Sequence, residues 1–146
     1  MVEGPGEEHL LVRDQQMRHR VETQHGAEAA LNGPQDATRS MALEYQERRD
    51  KLFSAMEEAP YLQALKPEGA FYLWAKIQPE WPGYEGRRDD WSVTNYLIDK
   101  AGIGSAPGSA FGASGAGHVR FAFSCSTGQV EEAAKLLPEV LGLAGN

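Results

Sequence analysis

Apolar positions along this chain fall into short periodic stretches, parted by Pro, Gly and clusters of charge. From Gln24 to Leu31 the alanines and Leu31 predict a helix, stopped by Asn32-Gly33-Pro34. Gln35 to Glu58 reads as one long helix, with Asp36 as its cap and Ala59-Pro60 as its end. In it Met41, Tyr45, Leu52, Phe53 and Met56 recur at roughly helical spacing, while Glu44, Glu47, Arg48, Arg49, Asp50 and Lys51 supply a wet face of i,i+4 pairs. Leu65 to Gly69 is a turn. It leads into Ala70 to Ile77, a mostly buried strand whose Phe71, Tyr72 and Trp74 belong in a sheet core.

Pro79 to Arg88, with two prolines and two glycines around Trp81 and Tyr84, reads as a surface loop. Asp89 and Asp90 offer caps for a helix through Trp91, Tyr96, Leu97 and Ala101, closed by Gly102. Ile103 to Ala106 allows a very short strand and His118 to Ser124 a longer one. Ser126 or Thr127 caps a last helix whose stripe is Val130, Ala133, Ala134, Leu137, Val140 and Leu141. Pro138 inside it lacks the N–H that would reach the Ala134 carbonyl, so a kink is expected there. The first 23 residues are polar and show little periodicity. The order of helices and strands predicts a small α+β domain: a long first helix and a short, largely antiparallel sheet covered by helices.

The 146 residues, 41% hydrophobic and 24% charged, suffice for one domain with a core. A net charge of −7 argues against nucleic acid and anionic membrane surfaces as partners. No apolar run reaches the length of a membrane span, and the first residues lack the marks of a signal peptide. The single Cys125 excludes an internal disulfide framework, and the cytoplasm is the expected location.

One residue breaks the apolar pattern of its strand. Period-two alternation puts Val119, Phe121 and Phe123 on one face and His118, Arg120, Ala122 and Ser124 on the other. Arg120 therefore stands among small neighbours, after the glycine-rich stretch from Ala106 to Gly117. Two uses fit this pattern: a surface ion pair, the commoner fate of a strand arginine, and bidentate capture of a planar anion such as a carboxylate. The four histidines have no metal-ligand spacing, and one cysteine cannot make a thiolate zinc site. There is no P-loop, no nucleophile elbow and no dinucleotide fingerprint. Gly112, Gly115 and Gly117 lead into a strand, and so lack the helix N-terminus a phosphate cradle uses.

Four segments together resemble the class I/II aminotransferases, the fold type I enzymes that depend on pyridoxal phosphate. Pro67-Glu68-Gly69-Ala70-Phe71-Tyr72-Leu73-Trp74 is similar to their P-x-G-A-F-Y strand. Ala106-Pro107-Gly108-Ser109-Ala110-Phe111-Gly112, followed by Gly117-His118-Val119-Arg120-Phe121, resembles their P-G-x-x-F-G … G-H-V-R element. Gln24 to Asp36, and Tyr45 to Asp50, are similar to the passage from the large to the small domain. The resemblance covers about residues 24 to 143 and is nearest to the aspartate aminotransferase-like branch.

The resemblance implies a division into a polar lead, residues 1–23, and an aminotransferase-like small C-terminal domain, residues 24–146. It also implies amino-group transfer between an amino acid and a 2-oxo acid, with Arg120 gripping the substrate α-carboxylate. Phe111 would face the pocket wall or simply pack. Pyridoxal 5′-phosphate is the family cofactor, yet the lysine that carries it precedes the Gln24 region in the family. Lys51, Lys66, Lys76, Lys100 and Lys135 match no such position, so the chain alone is expected to bind no cofactor and to be inactive. The large-domain portion of the enzyme and a second copy of the chain are the expected partners. The alternative is a non-catalytic remnant or a stand-alone carboxylate-binding module.

Overall fold

The computed structural model describes residues 21–144. Most of the polar lead, residues 1–20, lies outside the described residues. The described part divides into two compact units, with the boundary between Ser40 and Met41.

The first unit holds helix α1, residues 21–32, and the start of α2, Asp36–Glu58. Gly33 ends α1 by donating its N–H to the Ala29 carbonyl at 2.9 Å. The Gln35 amide bonds the otherwise open Ala30 and Gly33 carbonyls at 2.8 and 3.0 Å. The terminus is thus satisfied by a side chain from the turn itself.

The second unit carries the remainder of α2, then β1 (Leu62–Leu65), β2 (Tyr72–Ile77), α3 (Asp90–Ala101), β3 (Ala106–Pro107), β4 (His118–Ala122) and α4 (Thr127–Leu143). Two 3₁₀ turns, Gly108–Phe111 and Ala113–Gly115, join β3 to β4. The four strands form one open antiparallel sheet in the order β1-β2-β4-β3. The α+β expectation holds, as does the long helix before the sheet.

Local chemistry explains the helix ends. Asp89 caps α3 by accepting the Ser92 N–H at 3.0 Å, and Gly102, at φ +65°, closes it in the left-handed conformation that glycine tolerates. Ser126 and Gln129 form a reciprocal capping box at the start of α4. That helix runs through Pro138 to Leu143.

One face of the sheet is the core. Leu73, Ala75, Val119 and Phe121 point to it and are fully buried, with Phe123 just beyond β4. Leu52 and Met56 of α2, Val93 and Leu97 of α3, and Leu137 and Leu141 of α4 cover them. The expected burial of Val119, Phe121 and Phe123 is therefore found.

Four expectations change. Phe71, Tyr72 and Trp74 are not core residues: Phe71 is 39% exposed, and Tyr72 and Trp74 stand half-buried on the opposite, open face. Leu73 and Ala75 are the residues of β2 that are fully buried in the core instead. Trp81 is not a loop surface residue but 1% exposed; its indole N–H donates to Ser92 Oγ at 2.8 Å, and its ring meets Tyr61 and Tyr96 edge-on. Met41, expected in the apolar stripe of α2, is 52% exposed, because the buried part of that helix is its C-terminal half: Leu52, Ala55 and Met56. Leu65, expected to begin a turn, instead ends strand β1, which pairs it with Trp74; the strand is four residues long and follows Tyr61, held at φ +69°. Among the described residues, no helix is long and apolar enough to cross a membrane.

Candidate functional site

Arg120 sits mid-strand on β4, with Trp74 of β2 opposite it on one side and Ala106 of β3 on the other. It lies on the open face, as alternation requires, and shares that face with Tyr72 and Trp74. Its guanidinium carbon is 4.3 Å from the ring centroid of Tyr72 and 4.3 Å from that of Phe111. The cation is thus stacked between two aromatic rings, each a favourable partner for its flat faces. Trp74 braces the cluster, edge-on to Phe111 at 5.9 Å and stacked with His118 at 5.6 Å.

Among the described residues the Arg120 guanidinium has no acceptor. Its Nε is buried without a hydrogen-bond partner, and among the described residues no carboxylate pairs with it. The surface ion pair suggested by pattern alone is therefore not made. An unmatched buried donor is uncommon, because the group has lost water without replacing it. Held between the two rings, a guanidinium keeps its donors in its own plane, where a carboxylate can accept two parallel bonds.

Phe111 is 51% exposed, and its ring meets the Arg120 guanidinium and Trp74. It reaches this place on the 3₁₀ turn Gly108–Phe111, which two features hold. The Ser109 N–H donates to Asp90 Oδ2 at 2.6 Å. Gly108 and Gly115 also touch through bare backbone, a closeness that side chains on either would forbid. Gly112 and Gly117, at φ +115° and +74°, supply the bends around them. The resemblance already offers Phe111 for the pocket wall; Tyr72 and Asp90 are the residues whose part in this cluster the sequence conceals. Tyr72 could have been reached by alternation from Leu73, whereas Asp90 looked like a spare cap.

The described residues do not build a place for pyridoxal phosphate. A Schiff-base lysine must lose its proton to act as a nucleophile, which a desolvated or cationic setting favours. Lys51 has the opposite setting: bonds to Glu131 and Glu47 hold its pKa above the ordinary lysine value. Lys66 pairs with Asp50 at 3.0 Å, Lys100 lies over the Tyr84 ring, and Lys76 and Lys135 are exposed. A cavity of about 290 Å³ beside α4, lined by Leu52, Phe121, Cys125, Gln129 and Leu137 among others, contains neither a lysine nor Arg120. Among the described residues no cluster could hold a metal ion.

Comparison with known proteins bears on this arrangement. The family model for aminotransferase class I and II matches residues 13–137. A probable aspartate/prephenate aminotransferase of Rickettsia prowazekii is 37% identical over 115 residues, covering 76% of this chain and 28% of that protein. An LL-diaminopimelate aminotransferase of Desulforudis audaxviator is 32% identical over 119 residues, covering 82% of this chain and 28% of that protein. Among solved structures, an alanine aminotransferase from Pyrococcus furiosus superposes with a TM-score of 0.68 at 30% identity, covering 78% of this chain and 28% of the other. An aspartate aminotransferase from Rhizobium meliloti does so with a TM-score of 0.68 at 30% identity, covering 78% and 29%. The chain thus spans little more than a quarter of the length of the relatives it matches.

Proposed function

We infer the role of this chain from one premise: it belongs to the class I and II aminotransferase family, whose model covers residues 13–137. Members of that family use pyridoxal phosphate. Residues 24–146 act as its small C-terminal domain, and Arg120 takes the α-carboxylate of an amino acid or 2-oxo acid. One observation carries this reading: the Arg120 guanidinium is stacked between Tyr72 and Phe111 while its buried Nε has no acceptor. The clamp removes the freedom a long side chain would otherwise lose on binding, so the free site is already organised.

Capture of the carboxylate fixes where the neighbouring α-carbon and amino group stand. That orientation is this chain's contribution to amino-group transfer. The reacting amino group needs a lysine-bound cofactor aldehyde, and no lysine here is suitably placed. Transamination therefore requires the large-domain portion of an enzyme of this family, and this chain alone is inactive. A homo-oligomer is the form in which it works. The lysine surroundings favour the second reading to the same extent: by itself the chain is a carboxylate-binding module.

The test is a titration of the isotope-labelled chain with acetate and with neutral acetamide, following the Arg120 Nε–H resonance. Acetate should shift it saturably and acetamide should not. Arg120→Lys keeps the charge but loses the planar fork. It should weaken acetate binding by at least about tenfold, the equivalent of about 1.4 kcal/mol. Equal binding by Arg120→Lys, or equal responses to acetate and acetamide, would overturn the assignment.

A further inference from the structure

We propose that Asp90 is a positioning residue for Arg120, acting through the turn that carries Phe111. This rests on the reading of Arg120 as a carboxylate site. Asp90 is 3% exposed, an unusual place for a carboxylate, since burial of a charge is costly unless it is well bonded. It is not needed as the cap of α3, because Asp89 already fills that position and takes the Ser92 N–H. Nor does Arg87 claim it, since that guanidinium bonds Asp89. What Asp90 holds lies across the fold: the Ser109 N–H, at 2.6 Å, 19 residues further along the chain. A bond of that length to a carboxylate is of the strong, charge-assisted kind.

Ser109 lies two residues before Phe111 on the same single 3₁₀ turn, Gly108–Phe111. Fixing the Ser109 backbone therefore fixes the direction in which the Phe111 side chain leaves the turn. Phe111 is 51% exposed, and apart from Arg120 the ring contact it makes is the edge of Trp74, so the turn largely sets where its ring stands. The chain of cause runs from the buried carboxylate to the Ser109 amide, to the Phe111 ring, to the plane of the Arg120 guanidinium. Thr94 anchors the other end, its hydroxyl donating to the Asp90 carbonyl at 3.0 Å. A neutral acceptor would hold the turn less firmly, and no acceptor would release it.

Ring currents give a readout that stability alone does not move. Protons beside the Arg120 guanidinium lie between two aromatic rings and should resonate upfield. Phe111→Leu defines the position they take when one ring is gone. Asp90→Ala should bring them near that position, and Asp90→Asn should bring them part of the way, with the Ser109 amide moving in step. The Trp81 indole N–H, bonded to Ser92, reports that each variant is folded. Acetate affinity should fall about tenfold in Asp90→Ala, the equivalent of about 1.4 kcal/mol. If Arg120 keeps its wild-type resonances in the folded variants, the proposal is overturned. Where Asp90→Ala does not fold, Asp90→Asn decides: a displaced Ser109 amide with Arg120 unmoved, or no displacement of either, overturns it too. The two readings fail separately, because the ring-current measurement needs no acetate. A wild-type chain that ignores acetate overturns the carboxylate site, whereas acetate binding with Arg120 indifferent to Asp90 overturns only the positioning role.

Discussion

Gly108 and Gly115 meet backbone to backbone at the base of the turn that presents Phe111. A Cβ built on Gly108 would stand 2.7 Å from the His118 carbonyl oxygen and closer still to that of Gly115, and one on Gly115 would collide with the Gly108 carbonyl. All three obstacles are main chain, which cannot swing aside as a side chain would.

Gly115→Ala should therefore force the two 3₁₀ turns apart. Overpacking of this kind typically costs about 1–3 kcal/mol. The same separation should move Phe111 off Arg120 and reduce the upfield shift of the arginine protons. Gly128→Ala is the control: nothing lies within 4 Å of its would-be Cβ, and it sits in the first turn of α4. It should stabilise the chain by roughly 0.5–1 kcal/mol, the usual gain of Ala over Gly in a helix. Urea unfolding of the three chains checks both signs. Equal midpoints for wild type and Gly115→Ala would refute the steric argument.

These glycines also mark what a sequence can and cannot disclose. The run from Ala106 to Gly117 announces an irregular loop, because only such a segment needs so many glycines. Alternation in residues 118–124 placed Arg120 opposite Val119 and Phe121, and the fold keeps it there. The caps at Asp89, Gly102 and Ser126 were legible for the same reason: each is a local device between residues a few positions apart. The misplacements involve partners distant in the chain. Trp81 is buried because Tyr61 and Tyr96 close over it, and nothing in Pro79 to Arg88 reveals them. Phe71, Tyr72 and Trp74 are aromatic enough to be assigned to a core, yet Tyr72 and Trp74 serve the arginine face. Their side depends on which half of the alternation the helices cover.

Acid should weaken the start of α3 through Asp89. Its hydrogen bonds from Arg87, chiefly, and the Ser92 N–H hold its carboxyl below the ordinary aspartate value. A carboxyl whose folded pKa is depressed stabilises the fold at pH above its unfolded value, about 3.9, and loses that contribution as pH falls through the lower folded value. Asp89→Asn keeps a good cap but cannot titrate. Between about pH 6 and pH 3 the urea midpoint of wild type should fall further than that of Asp89→Asn. Parallel falls would show that Asp89 contributes nothing to acid sensitivity.

The lysines make the strongest case for inactivity of this chain alone. An amine attacks an aldehyde only when unprotonated, and enzymes secure that by lowering a lysine's pKa. Here Lys51 is held the other way by Glu131 and Glu47, so its reactive fraction is smaller than that of a free lysine. Lys66 is paired with Asp50, and Lys76 and Lys135 stand exposed to solvent. Incubation with pyridoxal phosphate at about pH 8, well below the ordinary lysine value of about 10.4, followed by borohydride, should thus give scattered and substoichiometric labelling. Lys51 should be the least labelled, and Glu131→Gln should raise its share by removing the bond that most favours its charged form. No absorbance band of a cofactor–lysine adduct should form, and aspartate with 2-oxoglutarate should not turn over. One lysine labelled stoichiometrically, found by peptide mapping and accompanied by turnover, would show that the chain holds a cofactor site of its own.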